Sequence, residues 1–132
     1  MNELNNDNRF DIDLKFGNVF EEELRDALVG RFAIEVKTER GRWKDTGNIF
    51  VEYESRGKKS GISVTQAKYY SVCLAHDDFI SQSFFLLDMS QFKTWLRTEI
   101  KANKIKSVMG GDDNTSKGYL VPICRLHEVF YV

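Results

Sequence analysis

Two short strings in this chain carry carboxylates at a spacing that a strand would set on one face: Ile34-Glu35-Val36-Lys37 and Phe50-Val51-Glu52-Tyr53-Glu54. Residues two apart on a strand point the same way, so Glu35 shares a face with Lys37, and Glu52 with Glu54. A face beside a Phe-rich core is ordinarily given to packing, and charge there is costly unless something binds. If the two strands form a hairpin whose register sets Glu35 opposite Glu52, their Cβ atoms lie roughly 5 Å apart and the like charges repel. A divalent cation turns that repulsion into ligation, because Mg²⁺ takes one or two carboxylates and completes its shell with water and phosphate oxygens. Such an ion lowers the pKa of a bound water and stabilises charge on a scissile phosphate. Lys37, on the same face, can orient the attacking water or neutralise the phosphate. The bland alternative is a charged cross-strand pair on a solvated face, Lys37 with Glu52 for instance, contributing roughly 0.2–1 kcal/mol.

The elements that must position these residues are read from periodicity. Val19, Phe20, Leu24, Ala27 and Leu28 recur at helical spacing between Gly17-Asn18 and Gly30, which predicts an amphipathic helix with acids on its wet face. The Asn-rich residues Met1 to Asn8 before it are expected to be loosely ordered. Arg31 to Thr38 and Ile49 to Glu54 each alternate, and the turn-rich stretch Glu39 to Asn48 between them predicts an antiparallel hairpin with a long loop. Thr65 is a candidate N-cap for a helix running through Gln66, Tyr69, Tyr70 and Leu74. Phe84-Phe85-Leu86-Leu87, within Phe79 to Met89, suits a buried strand. Ser90 is read as the cap of a third helix, with Phe92, Trp95, Leu96 and Ile100 towards the core. Met109 to Gly118 reads as a mobile loop, and Pro122 inside the last apolar run, Tyr119 to Val132, argues for an edge strand. The order helix, strand, strand, helix, strand, helix, strand predicts an α/β or α+β fold, a mixed central sheet flanked by helices.

Composition bounds the remaining possibilities. A chain of 132 residues with ten Phe supports one core, so a single domain over 1–132 is expected. No apolar run approaches the roughly 18 to 20 residues of a membrane span and no secretory leader is seen, which predicts a soluble, intracellular, cytoplasmic protein with no membrane partner. Cys73 and Cys124 stand in apolar contexts without metal-ligand spacing and are expected to be buried thiols, not zinc ligands or a disulfide. A net charge of −1 gives no global attraction to nucleic acid. Local clusters do exist, Arg56-Lys58-Lys59 and Lys93-Arg97-Lys101-Lys104-Lys106, the second of which also fits a solvated helix face. His76 and His127 are isolated in sequence and read as ordinary surface or core histidines rather than general bases.

Ile34-Glu35-Val36-Lys37, preceded by a Glu-bearing helix and followed by a strand and then a helix, resembles the PD-(D/E)xK nuclease superfamily over roughly Phe16 to Met89. Thr46-Gly47-Asn48-Ile49-Phe50-Val51-Glu52-Tyr53-Glu54 and Lys59-Ser60-Gly61-Ile62-Ser63 are similar to small nuclease-like proteins of phages and prophages. The resemblance implies a restriction-endonuclease-like core of helix, three-stranded meander, helix and strand, with Mg²⁺ or Mn²⁺ held by acidic residues and DNA phosphodiester hydrolysis as the activity. Two assignments compete. In one, Glu35 and Lys37 are the (D/E)xK pair and Asp26 is the upstream acid. In the other, Glu35 replaces the family's Asp and Glu52 with Glu54 forms an ExE variant, Lys37 supplying the cation. Either way Glu35 and Glu52 are the expected metal ligands and, with Lys37, the catalytic set.

The resemblance also implies a ligand from the first helix, for which Glu21, Glu22 and Glu23 compete and Glu22 is chosen. Their other role is to complement the helix dipole. Gln66 and Tyr70 fit the superfamily's QxxxY pattern if both lie on one helix, although that spacing is equally ordinary for helix surface plus core. A homodimer is expected, because one face of so small a chain offers limited area for duplex DNA. The competing function classes are a noncatalytic nucleic-acid-binding or accessory protein on the same scaffold, and a protein that docks on a partner protein through exposed Phe and Tyr.

Overall fold

The computed structural model describes residues 3–75, 82–111 and 113–131. They belong to two compact units, Met1–Ala33 and Ile34–Val132. The first holds one helix, α1, Glu3–Leu28. It starts far before Val19 and runs through the Asn-rich segment expected to be loose; Gly17 is carried inside it. It ends at Gly30, whose φ of 84° makes it the left-handed stop that the sequence predicts. The apolar stripe is exposed: Val19, Phe20, Leu24 and Leu28 all face solvent, and Ala27 is buried. Among the acids, Glu21 pairs with Arg25 one turn on.

The second unit contains β1 (Ile34–Arg40), α2 (Trp43–Thr46), β2 (Asn48–Ser55), β3 (Lys58–Lys59), β4 (Tyr69–Ala75), β5 (Gln82–Asp88), α3 (Met89–Lys101), β6 (Lys106–Gly110) and β7 (Ser116–Pro122). A 3-10 turn at Gly61–Ser63 and a 3-10 helix over Ile123–Tyr131 complete it. The strands form a mixed three-stranded sheet, β1-β4-β5, and an antiparallel four-stranded sheet, β3-β2-β7-β6. The fold is therefore mixed α+β.

The expected β1–β2 hairpin does not form. β1 runs parallel to β4, with Glu35 beside Tyr70, and β2 pairs with β3 and β7 in the other sheet. The reason lies in the connection. Trp43 donates its indole N–H to the Ala75 carbonyl, and Gly47 (φ 69°) closes α2, so the chain turns away before it can fold back on β1. The helix predicted from Thr65 is likewise a strand: Tyr69-Tyr70-Ser71-Val72 is rich in aromatic and β-branched residues, and β4 is central, buried on both faces.

Other expectations move by smaller steps. Asp88, not Ser90, caps α3 by accepting the Gln91 N–H, and Phe92, Trp95 and Leu96 do face the core. The loop predicted over Met109 to Gly118 is a hairpin of β6 and β7 with a short connection. β7 is not an edge strand. It lies between β2 and β6, and Pro122 is tolerated because it is the last residue of the strand. Of the strand expected over Phe79 to Met89, 82–88 is β5; residues 79–81 and His76 lie outside the described residues.

One apolar cluster joins both sheets and α3, from Ile49, Val51 and Val121 through Tyr70, Val72 and Leu87 to Phe92 and Trp95. The 3-10 helix adds Leu126 and Val129, and is fastened to α3 by Arg125, which donates to the buried Glu99 and to Glu128. That helix turns its other side outward, so Cys124 is exposed, and Cys73 on β4 is half-buried, against the expectation of two buried thiols; both are free. No described helix is long and apolar enough to cross a membrane.

Candidate functional site

On β1 the usual order is inverted. Glu35, Lys37 and Glu39 are half-buried, whereas Val36 on the opposite face is 60% exposed. Burial of a charged row in place of an available valine is costly, and the face it occupies adjoins Tyr70 on β4. Tyr70 is 3% exposed, and its ionisation is pushed far above the ordinary phenol range, first by burial and then by the negative charges of Glu39, Glu35 and Glu52. Three carboxylates from two sheets thus act on a single buried phenol.

What brings Glu39 to β2 is an open strand edge. β3 covers β2 only at Glu54 and Ser55, so farther along the backbone N–H of Phe50 donates to Glu39 Oε1 at 2.9 Å. Burial raises the Glu39 pKa above its ordinary value; the Phe50 N–H and the nearby Lys37 charge oppose that rise. Lys37 Nζ lies 5.8 Å from the centroid of the Phe50 ring, and makes no ion pair among the described residues. The Phe50 ring packs against Gly118 and Gly110, where an added Cβ would clash with its ring carbons. Lys37, Glu39, Arg42, Trp43 and Phe50 border a cleft of about 430 Å³.

The other two carboxylates are held by hydroxyls from the segment between β3 and β4. Ser60 Oγ donates to Glu52 Oε2 at 2.9 Å, and Thr65 Oγ1 donates to Glu35 Oε2 at 3.1 Å. Gly61 makes that approach possible. Its φ is 51°, and a Cβ there would meet the Glu52 carbonyl oxygen at 2.3 Å. Gly61→Ala is therefore expected to destabilise the fold by at least about 1–2 kcal/mol from the left-handed backbone alone, measured as a lower urea midpoint, and to displace Glu52.

Of the residues singled out from sequence, Glu35, Lys37 and Glu52 fall in this region, although Glu35 and Glu52 are not ladder partners. Glu54 does not join them. A bulge at Tyr53 breaks the alternation of β2, and Glu54 is committed to Lys117 at 2.9 Å. Glu22 and Asp26 belong to α1 in the first unit; Glu22 is exposed and Asp26 pairs with Arg31. Gln66 is exposed ahead of β4 while Tyr70 is within it, so the two do not share a helix face. His127 is exposed and bonds through Nδ1 to the nearby Cys124 carbonyl. Sequence reasoning missed Glu39, and gave Thr65 and Tyr70 helical roles, a cap and a QxxxY position, instead of the places they take beside Glu35. The signal for Glu39 was present, since Glu35, Lys37 and Glu39 are successive alternate residues, but the strand was ended at Thr38.

Three carboxylates and a lysine are hard oxygen donors and a cation, the set that suits Mg²⁺ or Mn²⁺ with a phosphate. Among the described residues, no group of three or more His, Cys, Asp or Glu side chains is placed to hold a metal ion together, so an ion here would draw one or two carboxylates and complete its shell with water and phosphate. In comparison with known proteins, no family model, no curated protein and no solved structure matches the chain.

Proposed function

We propose that the protein is a divalent-metal-dependent DNA endonuclease, with Glu35, Glu39 and Glu52 as the carboxylates from which a bound ion would draw its one or two ligands and Lys37 as the cation that faces the phosphate. The observation that carries this reading is the half-buried row Glu35, Lys37 and Glu39 on one face of β1, from which Glu39 Oε1 accepts the Phe50 N–H of β2. When bound, Mg²⁺ or Mn²⁺ supplies an acidified water and a Lewis acid for phosphodiester hydrolysis. The chain's own part is to keep these carboxylates half-buried and oriented. Ser60, Thr65 and the Phe50 N–H each fix one of them, and Lys37 sets a positive charge beside Glu39. A restriction-endonuclease-like core belongs to the same proposal, with β1 laddered to β4 rather than to β2 as its departure from the expected meander.

A noncatalytic nucleic-acid-binding protein on this scaffold is the second reading. It draws on the hydrogen bonds that already occupy Glu35 and Glu52. Incubation of supercoiled, single-stranded and four-way-junction DNA with the purified chain separates the two. The nuclease reading expects cleavage in Mg²⁺ or Mn²⁺ and none in EDTA; DNA left intact under every condition removes it and leaves the second.

A further inference from the structure

The carboxylate region is joined to the α3 surface by one residue. Thr65 donates its hydroxyl to Glu35, and its carbonyl accepts from Lys93 Nζ at 3.3 Å. Lys93 and Arg97 stand four residues apart on α3, and both border two clefts. The first, about 460 Å³, is polar: Thr65, Lys68, Ser90 and Thr94 line it with the two cations. Its one acid, Asp88, is occupied by the Gln91 N–H of the helix cap. The second, about 230 Å³, is walled by Tyr53, Ile62, Leu96, Ile100 and Tyr119. Tyr53 and Tyr119 stack there with centroids 4.4 Å apart. Arg97 is exposed and forms no ion pair among the described residues.

A row of cations and hydroxyls beside an aromatic-walled cleft matches the two chemistries of an unpaired nucleotide, a phosphate and a base with a free face. A duplex hides its base faces in the stack and would use only the cations. We propose that the two clefts flanking Lys93 and Arg97 form a groove for single-stranded nucleic acid, phosphates towards Lys68, Lys93 and Arg97 and bases towards Tyr53 and Tyr119, leading past Thr65 to the carboxylates. The inference rests on the nuclease reading for its purpose, and is tested without it.

The test is fluorescence anisotropy in EDTA with a short labelled oligothymidylate and a duplex of equal length, so that cleavage plays no part. Wild type is expected to bind the single strand more tightly than the duplex. Arg97→Glu, an exposed position whose folding is checked by circular dichroism, is expected to weaken single-strand binding about tenfold or more and to lower the salt slope by roughly 1 to 2. Tyr119→Leu is expected to weaken single-strand binding about tenfold and leave duplex binding unchanged. Duplex bound more tightly than single strand, or oligothymidylate affinity unchanged in folded Arg97→Glu, overturns the groove. Cleavage with unaltered Arg97→Glu binding would remove the groove and keep the nuclease; binding as predicted without cleavage in Mn²⁺ would do the reverse.

Discussion

Glu39→Gln is expected to lose metal-dependent cleavage by at least about 100-fold and, at neutral pH, to be more stable than the wild type. Glutamine keeps an oxygen for the Phe50 N–H, so the hydrogen bond survives while the charge is removed. Burial is the largest influence on Glu39 and raises its pKa, which means that the ionised form is worse accommodated in the folded state than in the unfolded one. With the folded value above the unfolded value, the native state binds more protons between the two, and wild-type stability falls as pH rises through that window. The cost is absent below the ordinary carboxylate value of about 4.5 and fully present above the raised one. The stability gap between Glu39→Gln and wild type should therefore open with rising pH, read from urea midpoints at pH 3.5, 5 and 7 by standard titration practice. A variant that is more stable and inactive marks a residue retained for chemistry. If the midpoints coincide at all pH values and cleavage persists, Glu39 is neither strained nor functional.

Phe92→Ala is expected to cost about 3–5 kcal/mol, the largest stability loss of any single truncation considered. Phe92 is fully buried, its ring 5.2 Å from that of Tyr70 and 6.3 Å from that of Trp95, so it joins α3 to the central strand that carries the phenol. The control is Phe84→Ala on β5, where the ring is 59% exposed and truncation should stay within about 0.5 kcal/mol. Chemical denaturation of both variants checks the contrast. Similar losses at the two positions would mean that α3 does not pack on β4 as described.

These effects also show what could be read from sequence and what could not. Alternation located β1 and β2 to within a few residues, and helical spacing located α3 with its buried Phe92, Trp95 and Leu96. Alternation gives the face of a residue but not the partner of its strand. Which strands pair was set by distant contacts, such as the Trp43 indole on the Ala75 carbonyl, that leave no periodic trace. β4 was mistaken for a helix because a central strand buried on both faces loses alternation altogether. The hairpin expected to set Glu52 opposite Glu35 does not form, and what was legible is the shared face of Glu35 and Lys37 on β1. Glu39 continues that face as the next alternate residue, but its hydrogen bond to an uncovered N–H on another strand leaves no trace in the sequence. The apolar residues of α1 fit the helical pattern, yet that pattern does not say whether a face is covered, and here Phe20, Leu24 and Leu28 are exposed.

The most direct test of the central claim is a crystal soaked in Mn²⁺ and measured for anomalous scattering. The account predicts one Mn²⁺ peak within coordination distance of carboxylate oxygens from both β1 and β2, Glu39 and Glu52 among them, and its disappearance in Glu39→Gln. A peak elsewhere with this region vacant, or a peak untouched by Glu39→Gln, would contradict it.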